Sequence, residues 1–311
     1  MSSTICVTGG AGFIGSHVAD ALVAAGHRVI ILDDLSSGSR DNVPDGAELE
    51  VLDVRSPASA ELIVDRGVEV LVHHAAQMDV RRSVADPLFD ADVNILGLLN
   101  LLEAARRGTV RQVVLASTGG AIYGEQDVHP ADESHEARPV SPYGVAKLAS
   151  ERYLYFYFDA YGIDATCLRY ANVYGPRQNP HGEAGVVAIF LHRLLAGEQA
   201  VINGDGSQTR DYVFVADVVR ANLAAIGRPG FHIYNVGTGI ETAVNVLFEQ
   251  LHRAVGEGPA AIHGPGKPGE QQRSSISAAL LERELGVTVG TPLAEGLRET
   301  AEWFRDRAAR Q

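Results

Sequence analysis

The sequence predicts an α/β fold: a Rossmann-like, doubly wound parallel sheet joined to a smaller mixed α/β lobe. Three observations carry this. Short β-branched runs alternate with amphipathic stretches through the first half of the chain. The runs are nearly continuous in apolar residues, as parallel strands covered on both faces are. A glycine-rich turn joins the first run to the first helical stretch, which places a ligand site at the strand ends.

Residues 5–8, 29–32, 49–52, 70–73, 113–117 and 165–169 read as six strands in order. Between them, 16–25 and 92–107 show helical spacing of apolar residues. After about residue 172 the rhythm breaks. Residues 172–185 are rich in Gly, Pro and Asn and read as loop, and helical pieces then mix with short strands. Residues 232–236, framed by Gly230 and Gly237, read as a late strand returning to the sheet. The expected division is a nucleotide-binding domain over 1–171, with a return strand at about 231–237, and a smaller substrate lobe over 172–311.

With 311 residues, 46% apolar and 21% charged, the chain has the composition of a globular protein. No apolar run approaches the roughly 20 residues that span a bilayer. The N-terminal residues lack a basic region followed by an apolar one, so no export signal is expected. Cys6 and Cys167 each sit inside a strand run. A disulfide framework is therefore not expected, and a reducing cytoplasm is. A net charge of −13 argues against nucleic acid or an anionic membrane as partner. No residue pattern suggests a metal site. An anionic substrate must then be held by individual cations.

Gly9, Gly12 and Gly15 follow the first strand directly and open the first helix. Their spacing suits a pyrophosphate on the helix N-terminus, with Phe13 and Ile14 in the same turn. Asp33, ending the second strand, can accept both ribose hydroxyls and repels a 2′-phosphate, which selects NAD over NADP. Asp34, Ser36, Ser37 and Gly38 follow it into the expected cofactor site. Asp53 and Val54 are placed near the adenine. Ala75, Ala76 and Gln77 let the cofactor cross the strand ends. Asn94 reads either as a cofactor contact or as a satisfied core asparagine.

Tyr143 and Lys147 lie four apart, hence on one helix face. A free tyrosine titrates near 10, and lowering that by about three units needs roughly 4 kcal/mol of differential stabilisation. A lysine ammonium and an oxidised nicotinamide both act in that direction. Thr118, or its neighbour Ser117, can hydrogen-bond a reacting sugar hydroxyl.

Five segments together resemble the extended short-chain dehydrogenase/reductase family, and within it the bacterial UDP-glucose 4-epimerases. They are Thr-Gly-Gly-Ala-Gly-Phe-Ile-Gly (8–15), Ser-Thr-Gly-Gly-Ala-Ile-Tyr-Gly (117–124), Ser-Pro-Tyr-Gly-Val-Ala-Lys (141–147), Leu-Arg-Tyr-Ala-Asn-Val-Tyr-Gly-Pro-Arg (168–177) and Arg-Asp-Tyr-Val (210–213). The resemblance implies NAD-dependent C4 epimerisation of a UDP-hexose through a transient 4-keto sugar. Tyr143 is then the base, Lys147 holds the nicotinamide ribose, Thr118 assists, and Tyr170 lies near the nicotinamide. Asn172 and Arg210 hold the diphosphate, Val201 and Asn203 run along the uracil with Val187 nearby, and Glu270 and Arg273 belong to a late substrate loop.

Three positions depart from the family pattern. Lys267 and Glu270 stand where relatives often have Arg and Asp, Gly119 stands where some have Ser, and Ser274 stands where some have a bulky Tyr. A small residue at 274 leaves room for an N-acetyl group, so epimerisation of a UDP-N-acetylhexosamine or of UDP-glucuronate stays open. Dehydratases and decarboxylases of the family carry carboxylates after the Ser-Thr pair, where this chain has Gly119-Gly120. A non-catalytic NAD-binding protein need not keep Tyr143 and Lys147. Residues 92–107 and 146–160, with Tyr153, Tyr155, Phe156, Tyr157 and Phe158, suggest a homodimer through a four-helix bundle.

Overall fold

Among the described residues, twelve strands build three sheets. They are β1 (Thr4–Thr8), β2 (Arg28–Asp33), β3 (Glu48–Val51), β4 (Val70–His73), β5 (Gln112–Thr118), β6 (Asp164–Tyr170), β7 (Asn172–Tyr174), β8 (Val201–Asn203), β9 (Thr209–Phe214), β10 (Phe231–Val236), β11 (Glu241–Ala243) and β12 (Ile262–Gly264). The structure is a computed structural model describing residues 2–180, 185–256, 258–266 and 271–309.

The main sheet is seven-stranded and parallel, in the order β10-β6-β5-β4-β1-β2-β3. The chain runs outward from β1 to β3, then crosses back to β4. The order reverses between β1 and β4, which opens a crevice at their C-terminal ends. Successive side chains of a strand point to opposite faces. Ile5 and Val7 therefore join Val18, Leu22 and Val218 on one side, while Cys6 joins Leu71, Leu98 and Leu101 on the other. Both faces are covered, which is why these strands show continuous apolar runs. β3 differs, because it is the edge strand and its residues are half-buried or exposed.

The first helix begins at Phe13, earlier than its apolar spacing alone suggests, because Gly12 serves as its N-cap. The helix expected over 92–107 opens instead with a wide π turn, Asp92–Leu96, before the α-helix Gly97–Arg107. A third core gathers the helices Val186–Leu195, Val244–Val255 and Leu293–Ala308 through Phe190, Leu191, Leu247, Leu251 and Leu297. Two small sheets, β11-β9-β7 and β12-β8, lie in the later part of the chain. Helix Val215–Ala225 also falls there in sequence, yet Val218 and Ala221 pack in the main-sheet core with Val18 and Leu22.

Both cysteines are free and buried. Burial pushes the Cys6 thiol up to about 12 and raises Cys167 as well, so neither is a thiolate at neutral pH. Among the described residues no helix is long and apolar enough to cross a membrane, and no acidic, His or Cys cluster could hold a metal ion.

Candidate active site

The crevice is built first by the turn after β1. Gly9 has φ +67°, and its N–H donates to the Leu32 carbonyl at 2.8 Å. A Cβ on Gly9 would stand 2.7 Å from the Ala75 nitrogen, and one on Gly15 would collide with the Gly9 carbonyl oxygen. The turn can be this tight only without side chains. Gly12 caps the helix without a side-chain hydrogen bond. The first-turn N–H groups are thus left for an anion, helped by the helix dipole.

Asp33 is buried beside this turn. One carboxylate oxygen accepts from Ala11 N–H at 3.0 Å and the other from Leu35 N–H at 2.8 Å. Each oxygen keeps a further lone pair for a diol. Burial raises the Asp33 carboxyl, and these backbone donors oppose the rise. Asp34 and Ser36 bond each other on the exposed loop, Ser37 is exposed, and Gly38 packs against Ala11.

Two of the expected cofactor residues, Asp53 and Asn94, have side-chain partners within the chain. The Asp53 carboxylate is held by Arg55, which also reaches Asp92 at 2.6 Å, and this pair keeps Asp53 below the usual carboxylate range. Its neighbour Val54 is buried against Gly97. The Asn94 amide is spent on the Gln77 backbone, accepting at 3.0 Å and donating at 2.9 Å, and on Asp90 at 3.0 Å. The Gln77 side chain also donates to Asp90, at 2.9 Å. Asn94 is the satisfied core residue of the two readings, and with Gln77 it supports the loop carrying Ala75 and Ala76 from behind.

The helix Pro142–Tyr161 starts with the Ser141 hydroxyl accepting from Gly144 N–H at 3.2 Å and Pro142 in the first turn. Tyr143 and Lys147 share one face of it. The Lys147 Nζ lies 5.9 Å from the Tyr143 ring centroid and donates to the Ala116 carbonyl at 2.9 Å. Burial depresses the Lys147 ammonium to about 8, against the pull of the Asp90 and Glu151 carboxylates. Burial, then Asp90, raises the Tyr143 phenol. The neighbouring His73 and His74 are pushed down to about 3 by burial and by Lys147, so both are neutral.

The two candidate hydroxyls separate. Ser117 donates to Glu151 at 2.6 Å, and Glu151 is locked to Arg169 at 2.6 Å in a buried ion pair. Thr118 accepts from Ala121 N–H at 3.3 Å, leaving its own proton to give. Gly119 has a packing reason for lacking the family's serine: a Cβ there would stand 2.7 Å from Ile276 Cδ1.

One cleft of about 550 Å³ joins these parts. At one end it is lined by Phe13, Ile14, Ser117, Thr118, Tyr143 and Tyr170, and at the other by Asn172, Val187, Val201, Asn203 and Arg210. The Tyr170 hydroxyl accepts from Asn222 at 2.8 Å and pairs with His74 at 3.3 Å, which fixes its ring at the cleft wall. Asp211 does not pair with Arg210. It accepts from Thr238, Gly239 and Ile276 N–H groups instead, while Arg210 bonds the Thr209 carbonyl at 2.7 Å and lines the cleft.

Arg273 is not brought to the cleft lining among the described residues. It forms an ion pair with Glu241 at 2.6 Å that holds Glu241 down at about 2. Glu270 and Lys267 lie outside the described residues. The sequence reading missed Met78, Arg81, Gln178 and Tyr212 as cleft residues. Gln178 and Tyr212 sit in or beside the motif segments and were findable. Met78 and Arg81 carry no local signal.

Comparison with known proteins agrees with this geometry. The chain belongs to the NAD dependent epimerase/dehydratase family, whose pattern matches residues 5–237. It is 46% identical to the UDP-glucose 4-epimerase of Mycolicibacterium smegmatis over 97% of this chain and 98% of that protein. Among solved structures, the UDP-glucose 4-epimerase of Thermotoga maritima with UDP-glucose superposes with a TM-score of 0.96 at 45% identity, covering 98% of this chain and 99% of that one. The UDP-glucose 4-epimerase of Thermus thermophilus in complex with NAD gives 0.92 at 43% identity, with 97% and 99% covered.

Proposed function

We propose that this chain interconverts UDP-glucose and UDP-galactose by oxidising and re-reducing C4 of the hexose. The observation that carries this is that Tyr143 and Thr118 line one cleft with Phe13 and Ile14 and with Asn172 and Arg210, while the Lys147 Nζ stands 5.9 Å from the Tyr143 ring centroid. The turn of Gly9, Gly12 and Gly15, with Asp33, fits NAD by its side-chain-free cradle and buried diol acceptor. When bound, NAD supplies a reversible hydride acceptor.

Tyr143 takes the C4 hydroxyl proton and later returns it. Thr118 donates its hydroxyl proton toward the sugar oxygen. Lys147 stabilises the phenolate with its charge. Asn172 and Arg210 hold the diphosphate, and Val187, Val201 and Asn203 border the base. Residues 1–171 with the return strand serve the cofactor, and the later lobe serves the sugar nucleotide.

A panel of UDP-hexoses, UDP-hexosamines and UDP-hexuronates with product identification tests the reading. Interconversion of UDP-glucose and UDP-galactose is expected, and its absence from the panel's products would refute it. A second substrate rests on the family pattern at position 274, since Ser274 is not among the residues lining the cleft. Ser274 is small and buried, with its Oγ 3.6 Å from where a Cβ on Gly120 would stand, just beyond Thr118. Ser274→Tyr is expected to lower the ratio of N-acetylated to plain sugar turnover, and an unchanged ratio counts against that extension.

The same reading includes a cytoplasmic homodimer. Leu88 is 82% exposed, and Val84, Leu96, Tyr155 and Phe156 are exposed with it on neighbouring helices. Tyr157 turns inward to Glu103 and Phe158 packs near Phe231, so the patch is smaller than the aromatic run implied. Several exposed large apolar side chains on neighbouring helices support an interface there. Light scattering should give twice the chain mass at micromolar concentration; a monomer refutes the dimer.

A further inference from the structure

Arg177 is one of two non-glycine residues with positive φ, at +67°, among the described residues. A glycine would hold that conformation without steric cost, and an arginine does not. Strain of this kind persists where the surroundings over-determine it, and it asks what the side chain does. The Arg177 guanidinium reaches across to the helix Phe13–Ala24. One nitrogen, Nη1, pairs with Asp20 at 2.7 Å and donates to the Ser16 hydroxyl at 3.1 Å. The residue before it is tethered to the same helix, since His17 Nε2–H donates to the Pro176 carbonyl at 2.9 Å. On its other side the loop is wedged: a Cβ on Gly175 would stand 2.5 Å from Val215 Cγ1.

Both partners of this clasp lead into the cleft. The helix presents Phe13 and Ile14 from its first turn; β7 carries Asn172 before the clasp, and the turn after β7 leads to Gln178 beyond it. A half-exposed ion pair contributes little stability by itself. It can still fix a distance, and hydride transfer depends steeply on distance.

We propose that Arg177 is a positioning residue: by clasping the segment 172–178, strand β7 and the turn after it, to the dinucleotide helix, it sets the spacing between the sugar-nucleotide and cofactor ends of the cleft. The inference rests on the function proposed above. It predicts that cofactor binding to the helix is felt in that segment, and that loosening the clasp slows chemistry more than it weakens binding.

Three variants test it in the NAD-loaded protein. Arg177→Gly removes the clasp while keeping the left-handed backbone free of strain, so it is expected to fold. Asp20→Asn removes the partner charge from the other side. Arg177→Lys keeps a charge and should retain part of the function. Both disruptive variants should lose about tenfold in kcat while KM for the UDP-hexose and NAD content stay within about twofold. The double variant should lose no more than either single one, because the two residues act as one unit. Independently of turnover, NAD saturation should slow amide exchange of residues 172–178 in the wild-type protein and not in either disruptive variant. Equal slowing in the variants, unchanged kcat, additive losses, or a kcat loss that tracks lost NAD would each overturn the clasp. A wild-type protein that epimerises no UDP-hexose refutes the proposed function instead, and the exchange experiment still decides the clasp.

Discussion

Replacing Tyr143 with Phe lowers turnover by about two to four orders of magnitude, the usual contribution of a placed proton-transfer group. NAD content and UDP affinity stay at the wild-type level, because the ring and its packing are kept and only the hydroxyl goes. On the proposed mechanism, that hydroxyl would be productive only in the loaded enzyme. Burial and Asp90 raise the Tyr143 phenol above its ordinary value, and burial lowers Lys147 to about 8. At neutral pH the protein alone therefore holds a phenol beside an ammonium. Bringing the phenol from its ordinary value to neutrality takes roughly 4 kcal/mol of differential stabilisation, and burial adds to that demand. Lys147 supplies part. A second positive charge would have to supply the rest, and oxidised NAD held by Gly9, Gly12, Gly15 and Asp33 would carry one. Ultraviolet titration should accordingly find no phenolate at Tyr143 near pH 7 in NAD-free protein. Full turnover by Tyr143→Phe would remove the proposed base.

What was legible in the chain was what local spacing encodes. Gly9, Gly12 and Gly15 form their turn by themselves, and Tyr143 and Lys147 share a face because a helix puts them there. That the strands are parallel and covered on both faces followed from continuous apolar runs; β3 is less buried than expected because among the described residues no further strand covers its edge. What was illegible depended on partners distant in sequence. Asn94 looked equally like a ligand contact until Gln77 and Asp90 were brought to it. The resemblance assigns Arg273 to a substrate loop, and its ion pair with Glu241 was not readable from spacing because Glu241 comes from β11. Ser117 and Thr118 could not be ranked from adjacency, and were separated only when Glu151 claimed the serine. Asp53 is the exception: Arg55 lies two residues away, so its pairing was readable.

Arg169→Met is expected to destabilise the fold by about 3–5 kcal/mol, the cost of leaving one partner of a buried ion pair alone. Arg169 and Glu151 are almost fully buried, and two hydrogen bonds, at 2.9 and 2.6 Å, join them. Glu151 would keep only the Ser117 hydroxyl. The Tyr123 hydroxyl, which accepts from Arg169 at 2.9 Å and donates to Asn235 at 2.8 Å, would lose its donor. Against a typical total stability of about 5–15 kcal/mol, this is a large share, and urea unfolding of the NAD-loaded protein should show it directly. Changing both partners, as Glu151→Gln with Arg169→Met, removes the stranded charge and should recover part of the loss. The double variant separates this account from simple loss of packing, because packing loss would only grow with the second substitution. An Arg169→Met protein as stable as wild type, or a double variant weaker than the single one, would show that the pair is not what ties β5 and β6 to the catalytic helix.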